Sequence, residues 1–301
     1  MTKSRRTMSE LQSHISEIQS RLASVYPEDE SEALAWWIAE ELSGLTRTQL
    51  LTGCKDTTFF SNTQDIIERL LHFEPIQYIF GHTLWCGLDL KVTPATLIPR
   101  PETAELVELV SRFEAPKPHT PIRVLDLCTG SGCIAIALKK QHPDWEVTGV
   151  DISPEAIEVA KENAVRNGVD VTFLVMDVAS DEFDAFYERS SYPIPYDIIV
   201  ANPPYVCESE KAGMRRNVLD YEPHLALFVP DKDPIRLYLA IGSLSMQFHS
   251  GPYPFPVLFL EINDAYAIRI GRYLYSNGYR DIEFINDMYG KTRFIQARGL
   301  I

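Results

Sequence analysis

Apolar residues recur at helical spacing near the start of the chain. Leu11, Ile15, Ile18 and Leu22 share one stripe, Leu34, Trp37, Ile38 and Leu42 a second, and Ile66, Ile67, Leu70 and Leu71 a third. Ser31, with Glu28, Asp29 and Glu30 beside it, suits a helix start, and Gly44 and Gly53 punctuate the segment. Residues 1–75 are therefore expected to form a small helical domain, with Trp36 and Trp37 as core or interface packing. Residues 76–121 change character. Alternating apolar positions around Gly81 and Gly87 predict a short hairpin, a helix follows from Glu102, and Pro116, Pro118 and Pro121 mark a linker.

Over residues 122–301 the rhythm becomes strand–helix–strand. The runs "IRVLDLC", "WEVTGVD", "VTFLVMD", "YDIIVAN" and "PVLFLEIN" read as strands, and "GCIAIALKKQH" and "PEAIEVAKENAVRNG" as helices. The second of these helices has Pro in its first turn and Gly just past its end. Two late runs, "IEFIND" and "RFIQARG", close the chain. Such alternation implies parallel pairing with right-handed crossovers, hence an α/β fold with a doubly wound, mostly parallel sheet.

Composition narrows the class only a little. The chain has 301 residues, 45% of them apolar, and a net charge of −14, so its global field opposes nucleic acid unless a local basic patch intervenes. Its five cysteines, Cys54, Cys86, Cys128, Cys133 and Cys207, form no C-x-x-C pair. They read as reduced thiols in a reducing, cytoplasmic compartment, with no metal expected. The longest uncharged run, Leu237–Leu260, carries Ser, Gln, His and the closely spaced prolines of "GPYPFP", which could not sustain a spanning helix. The start "MTKSRRTM" is basic but has no apolar run behind it, which speaks against a secretory signal and leaves a targeting role open.

Four strand ends carry the chemistry. "DLCTGSG" (Asp126–Gly132) joins a strand to a helix, and its glycines let backbone approach a ligand. Alone it fits nicotinamide dinucleotides, flavins and S-adenosylmethionine alike, but the carboxylate of Asp126 suits an amine better than a pyrophosphate. Asp151 ends the next strand, placed either to accept from ribose hydroxyls or to cap the helix opening at Pro154, for which Ser153 is the better candidate. Asp177 ends the third, where an acceptor reads an adenine amino group. "NPPY" (Asn202–Tyr205) ends the fourth. There Asn202 Oδ1 and the Pro203 carbonyl can both accept from one planar –NH₂, and Tyr205 can stack on its face. A nitrogen so held presents its lone pair to an incoming methyl.

Taken in order, these motifs resemble the S-adenosylmethionine-dependent methyltransferases that modify exocyclic or amide nitrogens. "PIQYIFG", "LIPRPETAELV", "GSGCIAIAL" and "YEPHLALF" narrow the resemblance to the HemK/PrmC family, the protein-glutamine N5-methyltransferases of peptide-chain release factors. It runs from Pro75 to Ile301, behind a helical N-terminal domain such as that family has. The resemblance implies a Rossmann-like methyltransferase domain over 122–301, a hairpin and linker segment over 76–121, and a release-factor-recognising domain over 1–75. It implies S-adenosylmethionine as methyl donor, S-adenosylhomocysteine as product, a release factor as protein partner and a monomer. Asp126, Thr129, Gly130, Gly132, Asp151, Asp177 and Asn202 would hold the cofactor, with Pro101, Glu102 and Thr103 beside its methionine end. Asn202, Pro203, Pro204 and Tyr205 would bind the substrate amide, Asn202, Pro203 and Tyr205 acting in catalysis, with no dedicated general base evident. The chain departs from the family pattern at Cys128, where a glycine is usual, after Phe228, and in "LEINDAY", which lacks the usual Gly and Gln. A nucleic-acid amino-methyltransferase using the same loop on a flipped base, which would need a basic groove, and a non-catalytic adaptor are the competing readings.

Overall fold

A computed structural model of the chain describes residues 2–53, 56–113, 121–180, 196–248 and 255–299. Cys54, Pro116, Pro118 and most of "GPYPFP" lie outside these described residues. The chain forms two compact units, one of residues 1–81 with Arg216–Tyr221, the other of His82–Arg215 with Glu222–Ile301.

In the first unit, α1 (Thr2–Leu22), α2 (Glu28–Ser43), α3 (Arg47–Gly53), α4 (Thr63–Leu71) and α5 (Ile76–Phe80) close around one apolar core. The three predicted stripes meet there, each fully buried Leu or Ile contributing roughly 1.5–3 kcal/mol. Two details differ from the sequence pattern. Trp36 is buried, whereas the stripe residue Trp37 is half-buried and donates its Nε1–H to Glu41. Helix α2 starts three residues before Ser31, because Glu28, Asp29 and Glu30 form its first turn and complement the positive end of the helix dipole. Ser31 is an interior residue whose hydroxyl donates to Glu28 O at 2.8 Å. The Arg216–Tyr221 segment joins this core through Tyr221 Oη, which donates to His72 O, and Arg216, whose guanidinium lies 4.5 Å over the Phe73 ring.

The second unit opens with the predicted hairpin, β1 (His82–Trp85) and β2 (Leu88–Lys91), turning at Cys86–Gly87. Residues just before Gly81 are the short helix α5 rather than strand. Then come α6 (Pro101–Ser111), β3 (Arg123–Leu127), α7 (Cys133–Gln141), β4 (Glu146–Asp151), α8 (Pro154–Asn167), β5 (Thr172–Val175) and β6 (Ile198–Ala201). A two-residue pair, β7 (Val206–Cys207) with β8 (Phe228–Val229), and a helix Arg236–Ser245 precede β9 (Val257–Glu261). A helix Ala267–Ser276 and the antiparallel β10 (Tyr279–Asn286) and β11 (Thr292–Gly299) finish the unit. The seven-stranded sheet runs β10-β11-β9-β6-β3-β4-β5, with β9, β6, β3, β4 and β5 mutually parallel. The doubly wound, mostly parallel sheet expected from the sequence is present.

Both faces of this sheet are covered, so its central strands read as continuous apolar runs. Val124, Ile198, Val200, Val257 and Phe259 pack on α6, α7 and α8. Their neighbours Leu125, Ile199, Ala201, Leu258 and Leu260 pack on Arg236–Ser245 and Ala267–Ser276. The period of two therefore sends Asp126, Asn202 and Glu261 toward the α6–α7–α8 side at the strands' carboxyl ends.

Asn163 on α8 locks hairpin, helix and glycine-rich turn together. It is fully buried, its Oδ1 accepts from Lys91 N at 2.6 Å, and its Nδ2 donates to Lys91 O and Ser131 O. Truncation leaves those backbone groups unpaired inside the protein. Asn163→Ala is expected to lose about 2–3 kcal/mol of stability. Chemical denaturation checks this, through a lowered midpoint at unchanged slope.

Candidate active site

Parallel register builds the site. Leu127 pairs with Val150 on one side and Ala201 on the other, and Ala201 pairs with Leu260. The residues that follow, Asp151, Cys128, Asn202 and Glu261, therefore stand abreast at one sheet edge, where ligands of open α/β sheets bind. A cavity of about 450 Å³ opens there. Of the residues singled out in the sequence, Thr103, Thr129, Gly130, Asp151, Asp177, Asn202 and Pro204 line it. Pro101, Glu102, Asp126, Gly132, Pro203 and Tyr205 are not among the residues that line it.

The glycine-rich turn explains two of these placements. Gly132 has φ +78°, and a Cβ on it would meet Ala160, Ile136 and Phe173 at 3.0–3.1 Å, so it supports the turn from within. Gly130 has φ +55° with no atom within 4 Å of a would-be Cβ, which leaves open space above its backbone. Cys128 takes a left-handed φ of +61°, the conformation for which the family's usual glycine is suited; as an L-residue it carries strain of roughly 1–2 kcal/mol. Its thiol is held far above the ordinary range by burial and by the carboxylates of Asp151, Asp126 and Asp177. The carboxylates of Asp151 and Asp177 on the cavity wall favour a cationic ligand over a pyrophosphate.

Asp151 is not the helix cap. Ser153 Oγ accepts from Ala156 N at 3.1 Å, while Asp151 accepts from Gly130 N at 2.8 Å and Ser153 N at 3.0 Å. Burial nevertheless raises its carboxyl pKa. Each oxygen keeps lone-pair capacity for a ribose hydroxyl. Asp177 accepts from Ala179 N and sits on the cavity wall. Open backbone over Gly130, an acceptor at Asp151, a second at Asp177 and a negative potential together fit the adenosine and positive charge of S-adenosylmethionine.

Asp126 faces inward instead of toward an amine. Its Oδ2 accepts from Thr129 Oγ1 at 2.6 Å and Ala135 N at 3.2 Å, and its buried Oδ1 has no partner. Its strand position points it into the α7–α8 side of the sheet, so the carboxyl braces the turn from beneath. Burial pushes it up to about 7, against the pull of those two donors.

The NPPY loop is held by a cluster that includes a residue sequence reasoning passed over. Glu261, at the end of β9, is buried; its Oε2 accepts from Thr103 Oγ1 at 2.8 Å and its Oε1 from Tyr205 Oη at 3.1 Å. Thr103 Oγ1 accepts in turn from Asn202 Nδ2 at 3.2 Å. Asn202 thus turns its –NH₂ toward Thr103, with one N–H bonded there, and among the described residues nothing donates to its Oδ1. Tyr205 is anchored by its hydroxyl, whose pKa is pushed well up by burial and by Glu261. Asn263 Nδ2 donates to Tyr205 O at 3.2 Å, so one departure from the family pattern, in "LEINDAY", supplies an anchor for the loop. Arg100 Nη2 pairs with the buried Glu222 at 2.6 Å, tying "LIPRPET" to "YEPHLALF". The signal for Glu261 was available: "VLFLE" ends on an acid after an apolar run, as the strand ending at Asp151 does; the expected third case, Asp177, lies two residues past the end of β5 at Val175.

Among the described residues, no group of three His, Cys, Asp or Glu could hold a metal ion, and no helix is long and apolar enough to cross a membrane.

Asp126 gives a pH test of this site. Its folded carboxyl binds a proton up to about pH 7, whereas the unfolded one releases it near ~3.9. The folded state therefore holds more protons between these values, and stability falls as pH rises, by at most ~1.4 kcal/mol per pH unit. Asp126→Asn is expected to lose this slope and to exceed the natural chain in stability at about pH 8. Denaturation curves of both proteins at about pH 5 and about pH 8 check it; parallel changes in the two would refute it.

Comparisons with known proteins agree with the geometry. Residues 14–81 match the PrmC N-terminal domain family and residues 107–219 the methyltransferase small domain family. A release factor glutamine methyltransferase of Bacteroides thetaiotaomicron is 44% identical over 284 residues, covering 93% of this chain and 97% of that protein. Its counterpart in Flavobacterium psychrophilum is 37% identical, covering 92% and 94%. A methyltransferase crystal structure from Pyrococcus furiosus shares the fold at 16% identity, with a TM-score of 0.50 over 79% of this chain and 99% of that one. With such identity over nearly its whole length, the chain belongs to the release factor glutamine methyltransferase family.

Proposed function

We propose that this enzyme transfers a methyl group from S-adenosylmethionine to the side-chain amide nitrogen (N5) of the glutamine in the Gly-Gly-Gln motif of peptide-chain release factors. The observation that carries this reading is the state of Asn202: it lines the cavity, its nitrogen is bound to Thr103, and its oxygen accepts from no described residue. An acceptor there suits a planar –NH₂ donor. Asn202 Oδ1 and the Pro203 carbonyl hold the two amide protons, and Tyr205, fixed through Glu261 and Asn263, keeps the loop rigid.

Gly130, Asp151 and Asp177 hold the adenosine part of the cofactor, and Thr129 and Thr103 line the same cavity. Bound there, S-adenosylmethionine supplies a methyl on a positively charged sulfur and leaves as S-adenosylhomocysteine. The amide nitrogen is a weak nucleophile because its lone pair is delocalised into the carbonyl. The enzyme's residues therefore act by orientation and by placing acceptors where positive charge develops on nitrogen. The nucleic-acid alternative would need a basic groove. The cations lining this cavity are Arg100 and Arg236, and Arg100 is paired with Glu222.

The helical residues 1–75, largely within the PrmC N-terminal domain match, are proposed to recognise the body of the release factor. Free thiols at Cys86, Cys128, Cys133 and Cys207 support a reducing compartment such as the cytoplasm.

Mass spectrometry of a release factor incubated with the enzyme and S-adenosylmethionine is expected to show one added methyl on the Gly-Gly-Gln glutamine. Methyl transfer to nucleic acid but not to this glutamine would overturn the reading. Asn202→Ala should lower kcat by about 10²-fold or more, with cofactor affinity, read by calorimetry, within about threefold of the natural enzyme. Intact release factor should be methylated with kcat/KM at least ~10²-fold above a Gly-Gly-Gln peptide. Equal efficiency on the two would remove the recognition role from residues 1–75.

A further inference from the structure

We propose that Glu261 is a positioning residue that sets the direction of the hydrogen-bond chain from Asn202 through Thr103, and so keeps the oxygen of Asn202, not its –NH₂, toward the substrate. The inference rests on the amide-methylation reading above and explains how that amide is selected.

An asparagine side chain can present either end, and nothing in "NPPY" itself chooses between them. The choice is made two residues away in the network. Two hydroxyls, Thr103 Oγ1–H and Tyr205 Oη–H, converge on the Glu261 carboxylate, which as an anion can only accept. With its one hydrogen committed to Glu261, Thr103 Oγ1 can only accept from Asn202. Asn202 must then turn Nδ2 inward, at 3.2 Å, and Oδ1 outward. Arg293 fixes the other branch: its Nη1 lies 3.5 Å from Tyr205 Oη, so the phenol oxygen faces a permanent donor and its hydrogen points to Glu261.

A glutamine at 261 breaks this logic without changing shape. Its amide offers one acceptor and one donor to two hydroxyls, so one hydroxyl must reverse. Tyr205 is held by Arg293, which leaves Thr103. A reversed Thr103 donates to Asn202, captures Oδ1, and turns –NH₂ against the –NH₂ of the substrate. Protonating Glu261 has the same consequence. The groups facing it are Thr103 and Glu102 from α6, Tyr205 from the NPPY loop, Tyr238 from the helix Arg236–Ser245, whose hydroxyl donates to the Glu261 backbone carbonyl, and Arg293 from β11, the last paired with Asp287. Burial raises this carboxyl to about 6, against the opposing pull of Thr103, Tyr205 and Arg293. The active form is the anion, so activity is lost as pH falls through that value.

The test uses the full chain, an intact release factor and three variants: Glu261→Gln, Thr103→Val and Thr103→Ser. Glu261→Gln should lower kcat by about 10²-fold, with KM for the release factor and the affinity for S-adenosylhomocysteine within about threefold. The natural enzyme should show an acid limb in kcat near pH 6, and Glu261→Gln should lack it. Thr103→Val should lose as much as Glu261→Gln, and Thr103→Ser should recover most of that loss because it keeps the hydroxyl. The inference is overturned if Glu261→Gln keeps at least about half the rate with the acid limb intact, or if Thr103→Val and Thr103→Ser work equally well. Should Glu261→Gln fail to fold, the Thr103 pair decides alone. Failure of the natural enzyme to methylate a release factor overturns the substrate reading, and the inference with it.

Discussion

The site depends first on the parallel pairing of β4, β3, β6 and β9. Strands buried on both faces cannot carry polar side chains along their length without leaving them unpaired. Polar residues are therefore pushed to the strand ends, and parallel pairing brings those ends to one edge. In this chain the register sets the residues after Val150, Leu127, Ala201 and Leu260 side by side. An acid, a strained cysteine, an amide and a second acid thus come together although they are far apart in the chain. Antiparallel pairing of the same strands would have sent half of them to the opposite edge.

Two buried carboxyls do different jobs within that frame, and both lie on the same side of the sheet. Asp126 holds the glycine-rich turn through Thr129 and Ala135, and one of its oxygens is unpaired. Glu261 has both oxygens engaged and lies near the cation Arg293. Desolvation opposes the charge on each, but more of it is offset at Glu261, which accordingly sits closer to an ordinary carboxyl than Asp126 does. Such groups lower stability relative to an apolar core, and they persist where their directionality is needed. At Glu261 that directionality reaches Asn202.

Around this centre, anchors come from remote parts of the chain. Asn163 ties hairpin and turn, Arg100 and Glu222 join two loops, and Asn263 holds the carbonyl of Tyr205. None of these contributes an atom to transfer in the proposed reaction. They limit how far the lining residues can shift, which matters because a weak nucleophile depends on orientation more than on activation.

Much of this was legible in order along the chain. Helical and alternating periodicities marked the helical unit, the hairpin and the strands, because burial on one or two faces imposes those periods directly on the residues. Asp151 at the end of β4, Asn202 just after β6 and the turn at Gly130 were visible because parallel sheets place polar groups at those ends, whereas Asp177 lies two residues beyond the end of β5 rather than on it. Local capping was only partly readable: Ser153 caps its helix, but Ser31 was displaced by three first-turn acids. What the sequence could not determine was direction. Whether Asp126 faces the ligand or the core depends on its depth in the strand, beside Gly149 and Val200 and under the start of α7, and which end of Asn202 points outward depends on Thr103 and Glu261, 99 residues before it and 59 after it. Those are long-range hydrogen-bond choices, and only the folded packing of α6, β6 and β9 makes them.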